Sequence, residues 1–299
     1  MHMADALVSP AVGGVMWAGT AGLIALSARK VNEDLDERKV PLMGVVAAFV
    51  FAAQMINFTI PGTGSSGHLG GGLLMAVLLG PHAAFLAMVS VLGVQALFFG
   101  DGGLLALGCN VINLGLFPCF VAYPLLYLPL AGRAPTRRRL AFAATTAAVV
   151  GLQIGSFAVV LETSLSGITE LPFGPFLLLM QPIHLAIGVV EGLATAAILL
   201  FLAAARPEVI APGPMAPSGG SLRRVIVGLL VAAALVAGGL SRFASDRPDG
   251  LEWAIQGVSG SEMTDAGTST SGLVGSALTL LLALSIAFGL RAVARRRAG

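Results

Sequence analysis

Apolar runs long enough to cross a bilayer recur from one end of this chain to the other, and that recurrence decides what it can fold into. Each run is bounded by Pro/Gly or charge clusters, and the intervals between runs are too short for a sizeable soluble domain. Hydrocarbon offers no hydrogen-bond partner to the backbone, so runs of this length are read as helices that satisfy their own peptide groups. The expected fold is therefore an all-α, polytopic membrane helix bundle. Composition agrees: 56% of the residues are hydrophobic and 11% are charged, against about 25% charged in an ordinary soluble domain. Cys109 and Cys119 lie in apolar surroundings and read as small packing residues. The first apolar run is not a secretory leader, because Arg29 and Lys30 follow it instead of preceding it, and it is expected to stay attached.

Spans are expected near 11–28, 42–60, 82–100, 104–131, 140–161, 176–205, 222–241 and 273–290. Residues 68–80, "HLGGGLLMAVLLG", are short for a span and form either a half-buried helix or a short crossing inside the bundle. Counting them gives about nine transmembrane segments. With that count Arg29, Lys30, Arg38, Lys39, Arg133, Arg137, Arg138, Arg139, Arg206, Arg223, Arg224, Arg291, Arg295, Arg296 and Arg297 share one side, and only Arg242 and Arg247 fall opposite. Basic residues favour the cytoplasmic side, which puts the N-terminus outside and the C-terminus in the cytoplasm. The outer side then carries Asp5, Asp101, Glu162, Glu170, Asp246, Asp249, Glu252, Glu262 and Asp265. Two readings of that acidity stand: an attraction for cations, or carboxylates in external loops where nothing forbids them. The Pro/Gly/Ser-rich tract 206–224 reads as a cytoplasmic linker between a seven-span module, 1–205, and a two-span module, 225–299.

The chain begins "MHMADALVSP". The α-amine of Met1, the backbone nitrogen of His2 and the His2 imidazole Nδ1 can close a five-membered and a six-membered chelate ring on one metal. Three nitrogens are then held in a plane, and a metal that favours planar nitrogen coordination, Ni(II) or Cu(II) and less readily Co(II), offsets the cost of deprotonating the amide. A fourth planar donor is needed, and His68 is the candidate on the same membrane face, in "PGTGSSGHLGGG", residues 61–72. Glycines there allow unusual dihedrals and close backbone approach; the alternative is a small-residue helix-packing surface. His82 follows Gly80-Pro81 and reads as an interfacial residue without special role. His184 and Glu191, seven residues apart, share a helix face and are expected nearer the middle and inner half of their helix, as a bundle-stabilising pair or a partner contact. Asn57, Gln95, Asn110, Asn113, Ser66 and Asp5 are candidates for the pocket lining, with helix-to-helix hydrogen bonding the other role open to the amides. No G-x-x-x-x-G-K-[ST] phosphate cradle occurs, and neither Lys30 nor Lys39 follows a glycine, so no ATP site is expected in this chain.

"MHMADALVSP", "GTGSSGHLGGGLLMAVLLGP", "ALFFGDGGLLALGCNVINLG" and "PIHLAIGVVEG" together resemble the substrate-capture (S) component of cobalt/nickel energy-coupling-factor (ECF) transporters, the CbiM/NikM family, over about residues 1–205. The tail "RPDGLEWA", residues 247–254, resembles the small PDGLE-type accessory subunit of the same transporters, fused through the linker. The resemblance implies a non-enzymatic subunit whose metal ligands are Met1, His2 and His68, with Ni(II) or Co(II) as transported substrate. It also implies a transmembrane coupling (T) component and two cytoplasmic ATPases as partners, in a cell membrane and with no nucleic acid. Two other readings use the same residues: a membrane metal-binding or structural subunit that does not transport, and an intramembrane serine protease. For the last, Gly64-Ser65-Ser66-Gly67 and His184-Leu185-Ala186-Ile187-Gly188 loosely resemble the serine and histidine motifs of rhomboid proteases.

Overall fold

In a computed structural model the described residues are all except 34–38, 134, 206–220, 240–242, 261–276, 287 and 290–299. The expected linker lies outside them apart from 221–224, which already belong to a helix. The order is α1 (Pro10–Glu33), α2 (Lys39–Gln54), β1 (Phe58–Thr59), β2 (Ser66–Gly67), α3 (Gly72–Leu79) and α4 (Pro81–Phe99). Then come α5 (Leu107–Ala131), α6 (Arg137–Ser166), α7 (Phe173–Ala205), α8 (Ser221–Gly238), α9 (Gly250–Ser259) and α10 (Ala277–Ile286). Five of these, α1 and α4 to α7, are long and apolar enough to cross a membrane. Large apolar side chains such as Val15, Leu125, Phe142, Leu178 and Phe201 stay uncovered on them. That is how a bundle solvated by hydrocarbon looks, since lipid tails take the place of further protein.

Sequence signals set the helix ends. The Thr136 hydroxyl accepts from the Arg139 amide at the start of α6, and Gly167 closes that helix in the left-handed region with φ 62°. Pro118 and Pro124 fall inside α5. Each removes an amide donor, and the helix passes them with the wide π-type winding of Ile112–Tyr127. The span expected over 42–60 ends early, at Gln54: residues 58–59 leave the helix and pair antiparallel with 66–67 (Phe58↔Gly67, Thr59↔Ser66). The ladder closes the hairpin that carries the Gly-rich stretch.

That stretch sinks into the bundle. α3 follows it at the centre of the molecule, with all of Gly72–Leu79 buried against α2, α4 and α5. Eight residues of helix rise about 12 Å, so the helix alone does not cross about 30 Å of hydrocarbon. It occupies the core together with Phe51, Phe85, Met88 and Leu114. The longest packed seam runs between α6 and α7, α8 leans on α2, and α9 lies along α7.

α1 is held to α5 at a point where both backbones nearly touch. The Thr20 hydroxyl donates to the Gly108 carbonyl at 3.1 Å. A Cβ at Gly108 would stand 2.7 Å from the Trp17 nitrogen and 2.8 Å from the Met16 carbonyl carbon. Backbone cannot rotate out of the way, so Gly108→Ala is expected to push α1 outward and cost about 1–3 kcal/mol. A lowered thermal unfolding midpoint in detergent is the expected reading, and an unchanged midpoint counts against the contact.

Candidate metal centre

The amino-terminal residues lie inside the mouth formed by the 101–110 segment, the Gly-rich hairpin and the start of α9. Met1 and Met3 are buried. Asn110, in the first turn of α5, brackets the Met3 peptide: its Oδ1 accepts from the Met3 amide at 2.7 Å and its Nδ2 donates to the Met3 carbonyl at 3.1 Å. The Gly103 amide donates to the same carbonyl at 2.9 Å. Two residues on, Asp5 accepts from the Ala106 amide at 2.9 Å. The chain is thus fastened on both sides of residue 4, and the position of the amine follows from those fastenings.

The Met1 amine donates to Asp249 Oδ2 at 3.0 Å and stands 3.3 Å from His68 Nε2. His68 Nδ1 lies 3.2 Å from the Leu69 carbonyl; a carbonyl only accepts, so Nδ1 bears the hydrogen and Nε2 offers its lone pair to the amine. Accepting from the ammonium, Nε2 is the ring nitrogen with an electron pair to offer a metal. Burial works against the Asp249 carboxylate, but the facing Met1 ammonium outweighs it and keeps its pKa below the ordinary carboxylate range. The His2 ring stacks on the His68 ring, centroids 4.9 Å apart and 7° from parallel. Its Nδ1 meets Asp101 Oδ1 at 2.9 Å, and its buried Nε2 has no hydrogen-bond partner among the described residues. Asp101 is likewise lowered, burial being overcome by the facing His2. Closing the six-membered chelate ring therefore requires the His2 ring to exchange Asp101 for the ion. Among the described residues no three His, Cys, Asp or Glu side chains form a ready metal cluster; the donors that do converge include a backbone amine.

The other sequence candidates fall into place around this centre, and mostly as supports. Glu191 accepts from the Gly70 and Gly71 amides at 3.1 and 2.9 Å. Gln95 Nε2 donates to Gln54 Oε1 at 2.8 Å, and Gln54 Nε2 donates to the Gly70 carbonyl at 2.7 Å. Both ends of the Gly70 peptide are thereby held. His184 donates from Nδ1 to the Met180 carbonyl at 2.8 Å, which leaves Nε2 without a partner on a small void lined by Met1, His68 and Asp249. His184 thus borders the centre and Glu191 lies beside it on Gly70 and Gly71, closer than their place along the helix suggests, because the Gly-rich stretch descends to meet them. His82 packs on Phe120 and meets Ser27 Oγ at 3.2 Å, away from these donors.

Ser66 and Asn57 grip the C-terminal part instead of lining the pocket. The Ser66 hydroxyl donates to the Arg247 carbonyl at 2.7 Å and to the Pro248 carbonyl at 3.1 Å, and its amide donates to Pro248 at 2.8 Å. The Asn57 carbonyl accepts from the Ser245 amide at 2.7 Å. With the Ser66 hydroxyl turned to carbonyls and the His184 Nδ1 turned to Met180, these residues do not form a Ser–His dyad. Two carboxylates at the centre, Asp101 and Asp249, were not singled out by the sequence as site residues. For Asp249 a partial signal exists: Asp-Gly-Leu-Glu reads as a capping box, and the structure has one, with Asp249 Oδ1 accepting from Leu251 and Glu252 and the Glu252 side chain accepting from the Asp249 amide. Nothing local tells that the second oxygen reaches residue 1.

Residues 2–209 match the family described as Cobalt uptake substrate-specific transmembrane region, and residues 223–266 match the PDGLE domain. The fused nickel transport protein NikMN of Rhodobacter capsulatus is 34% identical over 73% of this chain and 66% of its own length. The cobalt transport protein CbiM of Geobacter sulfurreducens is 30% identical over 85% of this chain and 76% of its own. A crystal structure of a truncated transition metal transporter superposes with a TM-score of 0.60 at 30% identity, covering 68% of this chain and 98% of that one.

Proposed function

From the premise that the chain belongs to the cobalt uptake substrate-specific transmembrane family, with a PDGLE domain behind it, we propose that it captures Ni(II) or Co(II) at the extracytoplasmic face for ATP-driven uptake. The observation that carries this is the convergence of the Met1 amine, His2 and His68 at one end of a bundle of apolar helices. Met1 supplies its amine, His2 its amide nitrogen and Nδ1, and His68 its Nε2. A deprotonated amide among the four donors selects ions that reward strong planar nitrogen fields. The His2 Nδ1 that would bind the ion meets Asp101, and exchanging that contact for the ion frees Nδ1.

In this reading the N-terminus is extracytoplasmic and the C-terminus cytoplasmic, and the Gly-rich stretch with α3 forms one composite crossing of about nine. A broken segment of that kind is tolerated at membrane depth only where protein or a cavity surrounds it, and the complete burial of α3 and the pairing of Gly70 and Gly71 with Glu191 support it. The chain brings no phosphate cradle of its own, so the work comes from a transmembrane coupling component and two cytoplasmic ATPases.

Calorimetric titration of Ni(II) and of Co(II) into the purified full chain tests the capture step. His68→Ala is expected to weaken binding at least about 100-fold, since one of four donors is lost. Equal binding by wild type and His68→Ala overturns the assignment, and binding without metal uptake in membranes that hold the ATPases would reduce the protein to a metal-binding subunit.

A further inference from the structure

The carboxylate of Asp249 comes from the far end of the chain, yet it sits among the proposed ligands. Its Oδ2 is 3.0 Å from the Met1 nitrogen and 3.8 Å from His68 Nε2, and those two nitrogens are 3.3 Å apart. Donors bound to one ion at about 2.0–2.1 Å stand about 2.9 Å apart at right angles and about 3.4 Å apart in a tetrahedron. An off-plane donor meets in-plane ones at right angles, so the Met1–Asp249 separation already fits, while the Met1–His68 and His68–Asp249 separations close by about 0.4 Å and about 0.9 Å. We infer that Asp249 Oδ2 is a further donor to the captured ion, placed off the plane of the four nitrogens, so that the C-terminal segment completes the metal site.

The surroundings of Asp249 are built to deliver that oxygen. Oδ1 is committed to the Leu251 and Glu252 amides at 2.8 Å each, which fixes the carboxylate plane and leaves Oδ2 facing the centre. Ser66 ties down the carbonyls of Arg247 and Pro248 from the hairpin that also carries His68. The next residue has no room for a side chain: a Cβ at Gly250 would stand 2.9 Å from Ile187 Cδ1 and 3.0 Å from His184 Cε1. Charge balance points the same way. The part-buried carboxylate faces the Met1 ammonium; an amine that coordinates is neutral, and a carboxylate left there without a cation is costly. The ion takes over as its counter-charge. Planar Ni(II) is complete with four nitrogens, whereas an ion that accepts a fifth donor gains from the oxygen, so Asp249 favours Co(II) relative to a site of nitrogens alone.

This inference rests on the metal-capture reading above, and the test separates the two. The full chain, Asp249→Asn, Asp249→Ser and His2→Ala are titrated with Ni(II) and with Co(II), and the visible absorption of each Co(II) complex is recorded. Asn and Ser both cap helices well, so α9 is retained while the second carboxylate oxygen is lost. The expected result is Co(II) binding weakened at least about tenfold in both Asp249 variants, a smaller loss for Ni(II), and a Co(II) spectrum shifted by the missing donor. Wild-type or tighter Co(II) affinity with an unaltered spectrum in these variants overturns the donor role and leaves Asp249 a counter-ion of the amine. Binding that is insensitive to His2→Ala would instead remove the capture reading itself.

Discussion

One residue added ahead of Met1 is expected to abolish tight Ni(II) and Co(II) binding, although every side chain of the centre is kept. The added residue converts the Met1 nitrogen into an amide, which is no longer an ammonium for Asp249 to hold and no longer a basic donor. It also has nowhere to go. Met1 is 3% exposed, and its nitrogen is already enclosed by His68 and Asp249. The two chelate rings share the His2 amide nitrogen, so losing the amine opens the five-membered ring and leaves the six-membered one to hold the ion without its fused partner. A loss of about a thousandfold or more, worth about 4 kcal/mol, is the expected size. Calorimetry on the extended and native chains reads it, with an extension at the C-terminus as control. A chain acetylated at the Met1 nitrogen offers no substitute amine, and if it binds either ion as tightly as the native one, the amine is not a ligand.

The second large effect is expected at Glu191, which touches no proposed ligand. Its two oxygens hold successive amides, Gly70 and Gly71, deep in the bundle. Glu191→Ala leaves both N–H groups without an acceptor where water cannot replace it, at about 1–3 kcal/mol each. A stability loss of about 2–6 kcal/mol should follow, together with weaker metal binding, because His68 is only two residues before Gly70. Glu191→Gln can accept one of the two bonds and should fall between. Unfolding midpoints in detergent, set beside metal affinities for the three proteins, decide it: a metal-site loss without a stability loss would mean that Glu191 acts on the ion and not on the loop.

How far the sequence foretold this arrangement differs by element, and the differences have physical causes. α1, α4, α5, α6 and α7 were legible because a spanning helix must be apolar over about 20 residues, a signal that needs no neighbour. The end of α2 was not, because Met55–Ile60 remains largely apolar while it turns into the β1 strand, and apolar content alone does not tell helix from a buried hairpin. The proposed nitrogen donors could be named from the sequence for a different reason: few residue types bind such ions, and a terminal amine next to a histidine can close two rings. The depth of the centre was hidden. Glu191 lies 18 residues into α7, about 27 Å along it, and only the descent of the Gly-rich stretch brings loop and carboxylate together. Asp249 was hidden more thoroughly, its partner being 248 positions away. A capping box is local and can be read; the contact made by the other oxygen is tertiary and cannot.

The bond from Met1 to Asp249 also sets a schedule for biosynthesis. A ribosome working at about 5–20 residues per second needs about 12–50 s to travel the 248 positions between them. Throughout that interval the Met1 nitrogen lacks its Asp249 partner, so this contact is among the last that the growing chain can close.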